Sequence, residues 1–157
     1  MFKSGPIAGV VIRDLRKNVD SRGWLTEVFR ADEIEPTHAP VMAYISVTEP
    51  GVTRGPHAHA DQTDFFAFIG PSQFKLFLWD DRPASPTYGT RQVLVAGEGV
   101  AKSVIIPPGV IHAYRNIGAV PGMVVNCPNR LFAGVGRKEP VDEIRYEDDP
   151  HSPFQLD

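Results

Sequence analysis

The chain has one cysteine, Cys127, so no intrachain disulfide can brace it and a reducing compartment suits it. Long apolar runs are also missing, and the N-terminal stretch MFKSGPIAGVVIRDL is too short in apolar residues for a signal peptide or a membrane span. A cytoplasmic protein with no membrane partner is expected. Nor is there a basic cluster: 16 Lys and Arg against 19 Asp and Glu give a net charge of −3 with the signs mixed, which argues against a nucleic-acid surface. Long helices have no room, because 15 prolines and 14 glycines leave no helical periodicity intact for three full turns. Repeats, low-complexity tracts and linkers are lacking as well. The 157 residues, 42% of them hydrophobic, are therefore read as a single domain, 1–157, with one core.

What does recur is a short apolar or alternating run, rich in Val, Ile, Phe and Tyr and closed by Gly, Pro or Asp. GVVIRD, WLTEVFR, MAYISVTEPG, FFAFIGP, FKLFLWDD, RQVLVAGEG, KSVIIPPG and GMVVNCP all have this form. Many short strands at near-regular spacing predict an all-β sandwich or barrel. RADEIEP is read as one helical turn, and the polar segment RKEPVDEIRYEDDPHSPFQLD as loop with a short strand or turn.

Three of the five histidines stand in notable places. TRGPHAHAD follows the Pro50-Gly51 turn and reads as a strand, so His57 and His59 point to one face and small Ala58 to the other. That is the inverse of a surface strand, and it predicts a partly polar interior. IIPPGVIHAYRN places His112 after a Pro-Pro-Gly turn, at the start of another strand. His38 and His151 are read as structural, Tyr44, Tyr114 and Trp79 as packing, and Cys127 as a small buried side chain.

Residues 51–64, GVTRGPHAHADQTD, resemble the first cupin motif, and Pro107, Gly109, His112 and Asn116 resemble the second. The cupin resemblance implies a jelly roll and, in its metal-binding form, ligation of one divalent ion by His57, His59 and His112, with Asp64 or Gln62 in the carboxylate position. Such a donor set suits Zn, Fe, Mn or Ni.

A narrower resemblance covers most of the chain. DSRGWLTEVFRADE, GVTRGPHAH, DDRPASPTYGT, IIPPGVIHAYRN and EIRYEDDP fall in the order of the dTDP-4-dehydrorhamnose 3,5-epimerase family. That family implies a jelly-roll homodimer acting on a nucleotide-linked 4-keto-6-deoxy sugar, with no cofactor. Carried over, His57 is the catalytic base, Arg54 and Arg22 contact the diphosphate, Glu27 and Phe29 contact sugar or nucleobase, and His112 lines the substrate site. Without the resemblance, Arg22 would only cap a turn through Asp20. Three departures stand out: no lysine lies between Ala58 and Phe74, Asn126 stands where a tyrosine acid is expected, and an aspartate beyond the DDP segment has no counterpart. The motif Arg54-Gly55-Pro56-His57-Ala58-His59 also resembles the sugar 3,4-ketoisomerases, in which two histidines move protons, so His57 and His59 are the catalytic pair in that reading. Two alternatives stay beside it: a metal-dependent cupin using His57, His59, Asp64 and His112 on another small molecule, and a barrel that binds a sugar nucleotide without turnover.

Overall fold

The computed structural model describes residues 2–156. One sheet has five strands in the order β2 (Val11–Asp14), β10 (Lys102–Ile106), β7 (Asp64–Phe68), β12 (Gly122–Asn126) and β5 (Tyr44–Thr48). A second has six, in the order β1 (Lys3–Ser4), β9 (Thr90–Gly97), β8 (Gln73–Asp80), β11 (Val110–Asn116), β6 (Thr53–Ala58) and β13 (Ile144–Arg145). Every pairing in these sheets is antiparallel except β1 with β9. The sheets pack as the expected jelly-roll sandwich. A small hairpin, β3 (Asn18–Asp20) with β4 (Gly23–Leu25), pairs with neither.

The main core lies between the sheets, where Phe66, Phe68, Val104 and Val124 meet Phe74, Leu76, Leu78 and Tyr114. Alternate residues of the same strands face outward and are covered too. Phe77, Trp79 and Ile111 pack under the C-terminal segment through Phe154, and Phe65 and Ile105 pack with Cys127. Burial on both faces explains why DFFAF and FKLFLWD read as continuous apolar runs rather than clean alternations.

Two expected elements differ. WLTEVFR contributes only Trp24 and Leu25 to β4, and the turn expected in RADEIEP is instead a 3-10 turn at Pro36–His38. Pro36 disfavours helical backbone at Glu35 but suits the first position of a helical turn.

One glycine sets how closely β6 approaches β11. Gly55 has φ +82°, and a Cβ there would lie 2.5 Å from the His112 carbonyl oxygen and 3.1 Å from His57 Nδ1. Gly55→Ala combines left-handed strain with overpacking, so a loss of about 2–4 kcal/mol is expected in urea unfolding.

Candidate active site

β6 and β11 are neighbours, and His57 stands opposite His112 in register with ring centroids 4.4 Å apart. His59, just past the end of β6, has its ring 5.6 Å from His57 and 5.8 Å from His112. Ala58 turns the other way, into the cluster with Phe77 and Trp79, so the alternation expected of the motif is present. The facing sheet supplies the fourth member. Asp64, at the start of β7, is 1% exposed, and its Oδ2 lies 3.0 Å from Nε2 of both His59 and His112. Its Oδ1 accepts hydrogen bonds from Gln62 Nε2 at 2.8 Å and Asn126 Nδ2 at 2.9 Å.

The ring orientations are set by main-chain carbonyls. His59 Nδ1 bonds the carbonyl of Asp142, and His112 Nδ1 that of Val110 at 3.1 Å, which turns both Nε2 atoms toward Asp64. The Asp142 carboxylate meanwhile accepts backbone N–H groups from Ala60, Asp61 and Gln62 at 2.7–2.9 Å, fixing the turn after His59.

These surroundings push His57 and His59 in opposite directions. Burial, with His112 and His59 close by, pushes His57 down to about 2, so it is a neutral imidazole. Burial also opposes charge on His59, but the Asp64 carboxylate and the Asp142 carbonyl outweigh it and lift His59 to about 8. Asp64 itself is held well below the usual carboxylate range: burial favours its neutral form, and the imidazoles of His112 and His59 overcome that.

The cluster borders a cavity of about 660 Å³, walled by His59, Gln62, Tyr44, Phe132 and residues of the 128–143 segment. The other residues carried over from the resemblance lie apart from it in this chain. Glu27 and Phe29 line a separate cleft of about 340 Å³ with Arg13, Arg16 and Arg30, and Phe29 packs on Phe65. Arg22 sits in the tip of the β3–β4 hairpin, 87% exposed and paired with Asp20 at 2.6 Å. Arg54 braces β5, donating to Thr48 Oγ1 at 2.9 Å and the Val47 carbonyl at 2.8 Å. The structure thus gathers His57, His59, His112 and Asp64 and leaves Arg22, Arg54, Glu27 and Phe29 outside.

The sequence profile of the dTDP-4-dehydrorhamnose 3,5-epimerase family matches residues 4–130. The probable low-salt glycan biosynthesis epimerase Agl13 of Haloferax volcanii is 39% identical over 127 residues, which cover 80% of this chain and 81% of that protein. The chain belongs to the dTDP-4-dehydrorhamnose 3,5-epimerase family. The spore coat polysaccharide biosynthesis protein SpsL of Bacillus subtilis is 34% identical over 119 residues, 76% of this chain and 78% of SpsL. Among solved structures, the dTDP sugar isomerase of Desulfovibrio desulfuricans superposes with a TM-score of 0.79 at 23% identity, covering 95% of this chain and 91% of that one. The Legionella pneumophila epimerase solved with dTDP-4-keto-L-rhamnose gives 0.76 at 21%, covering 99% and 84%. Both likenesses establish the fold. Family and relatives together make the protein a sugar-nucleotide epimerase or isomerase.

Within the dTDP-4-dehydrorhamnose 3,5-epimerase family, the departures noted in the sequence have structural counterparts. Ala67, ten positions beyond His57, is fully buried, and Asn126 is part of the Asp64 hydrogen-bond system. Two residues of the site escaped the sequence reading. Tyr44, read as packing, is 44% exposed and lines the cavity, whereas Tyr114 and Trp79 are indeed buried. Asp142 carries no local signal, because it acts through a carbonyl and a backbone-capping carboxylate. Asp142→Ala strips three N–H groups of a charged acceptor. It is expected to cost about 1.5–3 kcal/mol in stability and to speed amide hydrogen exchange at Ala60, Asp61 and Gln62.

Proposed function

We propose that this protein acts on a nucleoside-diphosphate-linked 4-keto-6-deoxyhexose at C3, with His57 and His59 as the catalytic pair. The observation that carries the reading is the pair His57 and His59, with rings 5.6 Å apart and Asp64 3.0 Å behind His59, beside a cavity that borders His59. Epimerisation at C3 and migration of the carbonyl from C4 to C3 begin alike, with removal of the C3 proton next to the ketone. Neutral His57 takes that proton. His59, its charge supported by Asp64, returns one: to the opposite face of C3 in epimerisation, or to C4 in carbonyl migration, in which the C3 hydroxyl proton passes to the C4 oxygen through the enediol. Migration keeps the transfers on one side of an enediol and suits a pair of bases on one strand.

His112 borders the substrate in this reading. The family resemblance gives the diphosphate to Arg54 and Arg22 and the nucleobase or sugar to Phe29 and Glu27. These four lie apart from the histidine cavity, so the nucleotide end of the substrate extends beyond it. The nucleotide is thymidine diphosphate, as the names of the solved relatives support. A homodimer belongs to the same reading. Its support is the apolar surface left open on the hairpin by Val19, Trp24 and Leu25 and on edge strand β5 by Ile45 and Val47. The setting is cytoplasmic, in keeping with the lone Cys127; no helix among the described residues is long and apolar enough to cross a membrane.

A second reading of the same residues is favoured by one observation. Asp64 Oδ2 and His112 Nε2 are buried without a hydrogen-bond partner, and the ligating atoms of His57, His59, Asp64 and His112 all lie within 4.8 Å of one another. Three imidazoles and a carboxylate, two of the rings tied at Nδ1 by carbonyls, fit one divalent cation. When bound, such an ion supplies Lewis-acid stabilisation of an enolate oxygen. In that case the histidines are ligands rather than proton carriers, and elemental analysis of the purified protein shows stoichiometric metal. Its absence leaves the proton-carrier reading.

Incubation with a dTDP-4-keto-6-deoxy sugar in D2O, followed by NMR, is expected to show loss of the C3 hydrogen and no exchange at C5, with deuterium at C3 where the ketone stays at C4 and at C4 where it has moved to C3. A ketone moved to C3 identifies migration, and a ketone retained at C4 identifies epimerisation. Exchange at C5 as well overturns the C3-only reading, and no exchange at any carbon overturns the activity. His59→Asn is expected to abolish turnover with dTDP affinity retained. Arg54→Ala is expected to weaken dTDP binding by about 1.5–3 kcal/mol in calorimetric titration, the range for a charge-assisted contact.

A further inference from the structure

We infer that Tyr44 is a catalytic residue of this enzyme, its phenolic O–H donating to the sugar ketone oxygen as negative charge develops there. The inference rests on the proposed C3 chemistry and adds a group that neither the motifs nor the family pattern point to.

The donor of the hydrogen bond between Asn126 and Tyr44 is fixed by the surroundings of Asn126. Asn126 is 1% exposed, and its amide is fixed by three contacts. Its Oδ1 accepts the Phe65 N–H at 3.0 Å, while Nδ2 lies 2.9 Å from Asp64 Oδ1 and 2.9 Å from Tyr44 Oη. Flipping the amide would set its carbonyl oxygen against the Asp64 carboxylate and its NH2 against the Phe65 N–H, so the orientation has no alternative. Both amide hydrogens are then used, one on Asp64 and one on Tyr44. The phenol oxygen is an acceptor in this bond, and its own hydrogen has no acceptor among the described residues.

That hydrogen belongs to a ring that lines the same cavity as His59 and Gln62. Burial raises the Tyr44 phenol to about 12, against the opposing effect of the Asn126 bond, so the proton stays in place at neutral pH. Other donors along the cavity are less suited. Gln62 Nε2 is engaged with Asp64 Oδ1, Arg130 pairs with Asp61 at 2.8 Å, and Arg137 is at the exposed rim. Asn129 Nδ2 is engaged with the Thr37 carbonyl, and Phe132 offers no polar group.

The step balances without a further reagent. The C3–H bond breaks with its proton going to the imidazole, and the electron pair forms the C3–C4 double bond. The carbonyl π pair moves onto the C4 oxygen, which accepts the Tyr44 O–H. Reprotonation of C3 reverses these movements in epimerisation; in carbonyl migration the C4 oxygen takes up the C3 hydroxyl proton, C4 is protonated and the carbonyl re-forms at C3. Tyr44 thereby does from β5 what a buried lysine would do beyond His57.

The test measures C3 hydrogen–deuterium exchange with a dTDP-4-keto-6-deoxy sugar, dTDP affinity and thermal unfolding for the wild type and Tyr44→Phe. Exchange in the variant is expected to fall about 10²- to 10³-fold, the loss typical of one oxyanion donor, with dTDP affinity and fold unchanged. Because the phenylalanine also leaves an Asn126 N–H without its acceptor, a second protein carries a ring-fluorinated tyrosine at position 44, which keeps the bond and makes the phenol more acidic. Its exchange rate is expected to follow phenol acidity, which a merely structural residue would not impose. Wild-type exchange rates in either protein, or loss of exchange only in step with loss of dTDP binding or folding, overturns the role of Tyr44. Absence of exchange in the wild type overturns the C3 chemistry and Tyr44's part in it together.

Discussion

The carboxylate of Asp64, almost without exposed surface, is the group on which the site is assembled. Burying a charge costs several kcal/mol unless it is paired and fully hydrogen-bonded, and here each neighbouring element supplies part of the offset. Gln62 and Asn126 donate to one oxygen, and the imidazoles of His59 and His112 face the other. Because Asp64 belongs to one sheet and His112 to the other, the same contacts that stabilise the charge also fix the spacing of the two layers at this end of the sandwich.

Order spreads outward from that point along identifiable bonds. Asn126, oriented by Phe65, reaches Tyr44 on the edge strand. His59 reaches the carbonyl of Asp142, whose carboxylate in turn holds the 60–62 turn, so the C-terminal segment is tied to the histidine face. On the far side, Gly55 lets β6 lie close enough to β11 for His57 and His112 to meet. The 128–143 segment is thus both a wall of the cavity and, through Asp142, a restraint on the His59 ring.

How much of this the sequence discloses depends on the kind of contact. A strand repeats every two residues, so His57 and His59 flanking Ala58 announce a polar interior face, and the turn Pro107-Pro108-Gly109 places His112 on the adjoining strand. The apolar runs disclose the strands for the same reason. A carbonyl has no residue type, so the bond from His59 to Asp142, 83 positions away, leaves no trace in the sequence. Tyr44 sits in an ordinary strand pattern, MAYISVT, and only the position of β5 at the sheet edge turns its ring toward the cavity instead of the core. Arg22 shows the converse: the DSRG box is plain to read, yet the side chain stands exposed on a hairpin that neither sheet holds.

The protonation pattern bears on why chemistry at two carbons is not expected here. Burial and the neighbouring imidazoles hold His57 uncharged, and the Asp64 carboxylate with the Asp142 carbonyl favours the charged form of His59. In the proposed chemistry at C3 one proton leaves and one returns, and the total charge of the site is unchanged between the two transfers. Inversion at C5 as well would require a second acceptor aimed at a different carbon, or a reset of the first pair while the sugar turns. Asn126, which the family resemblance sets where a tyrosine acid would stand, is wholly engaged with Asp64, Phe65 and Tyr44 and carries no transferable proton. Its amide serves the Asp64 system as an anchor rather than as an acid.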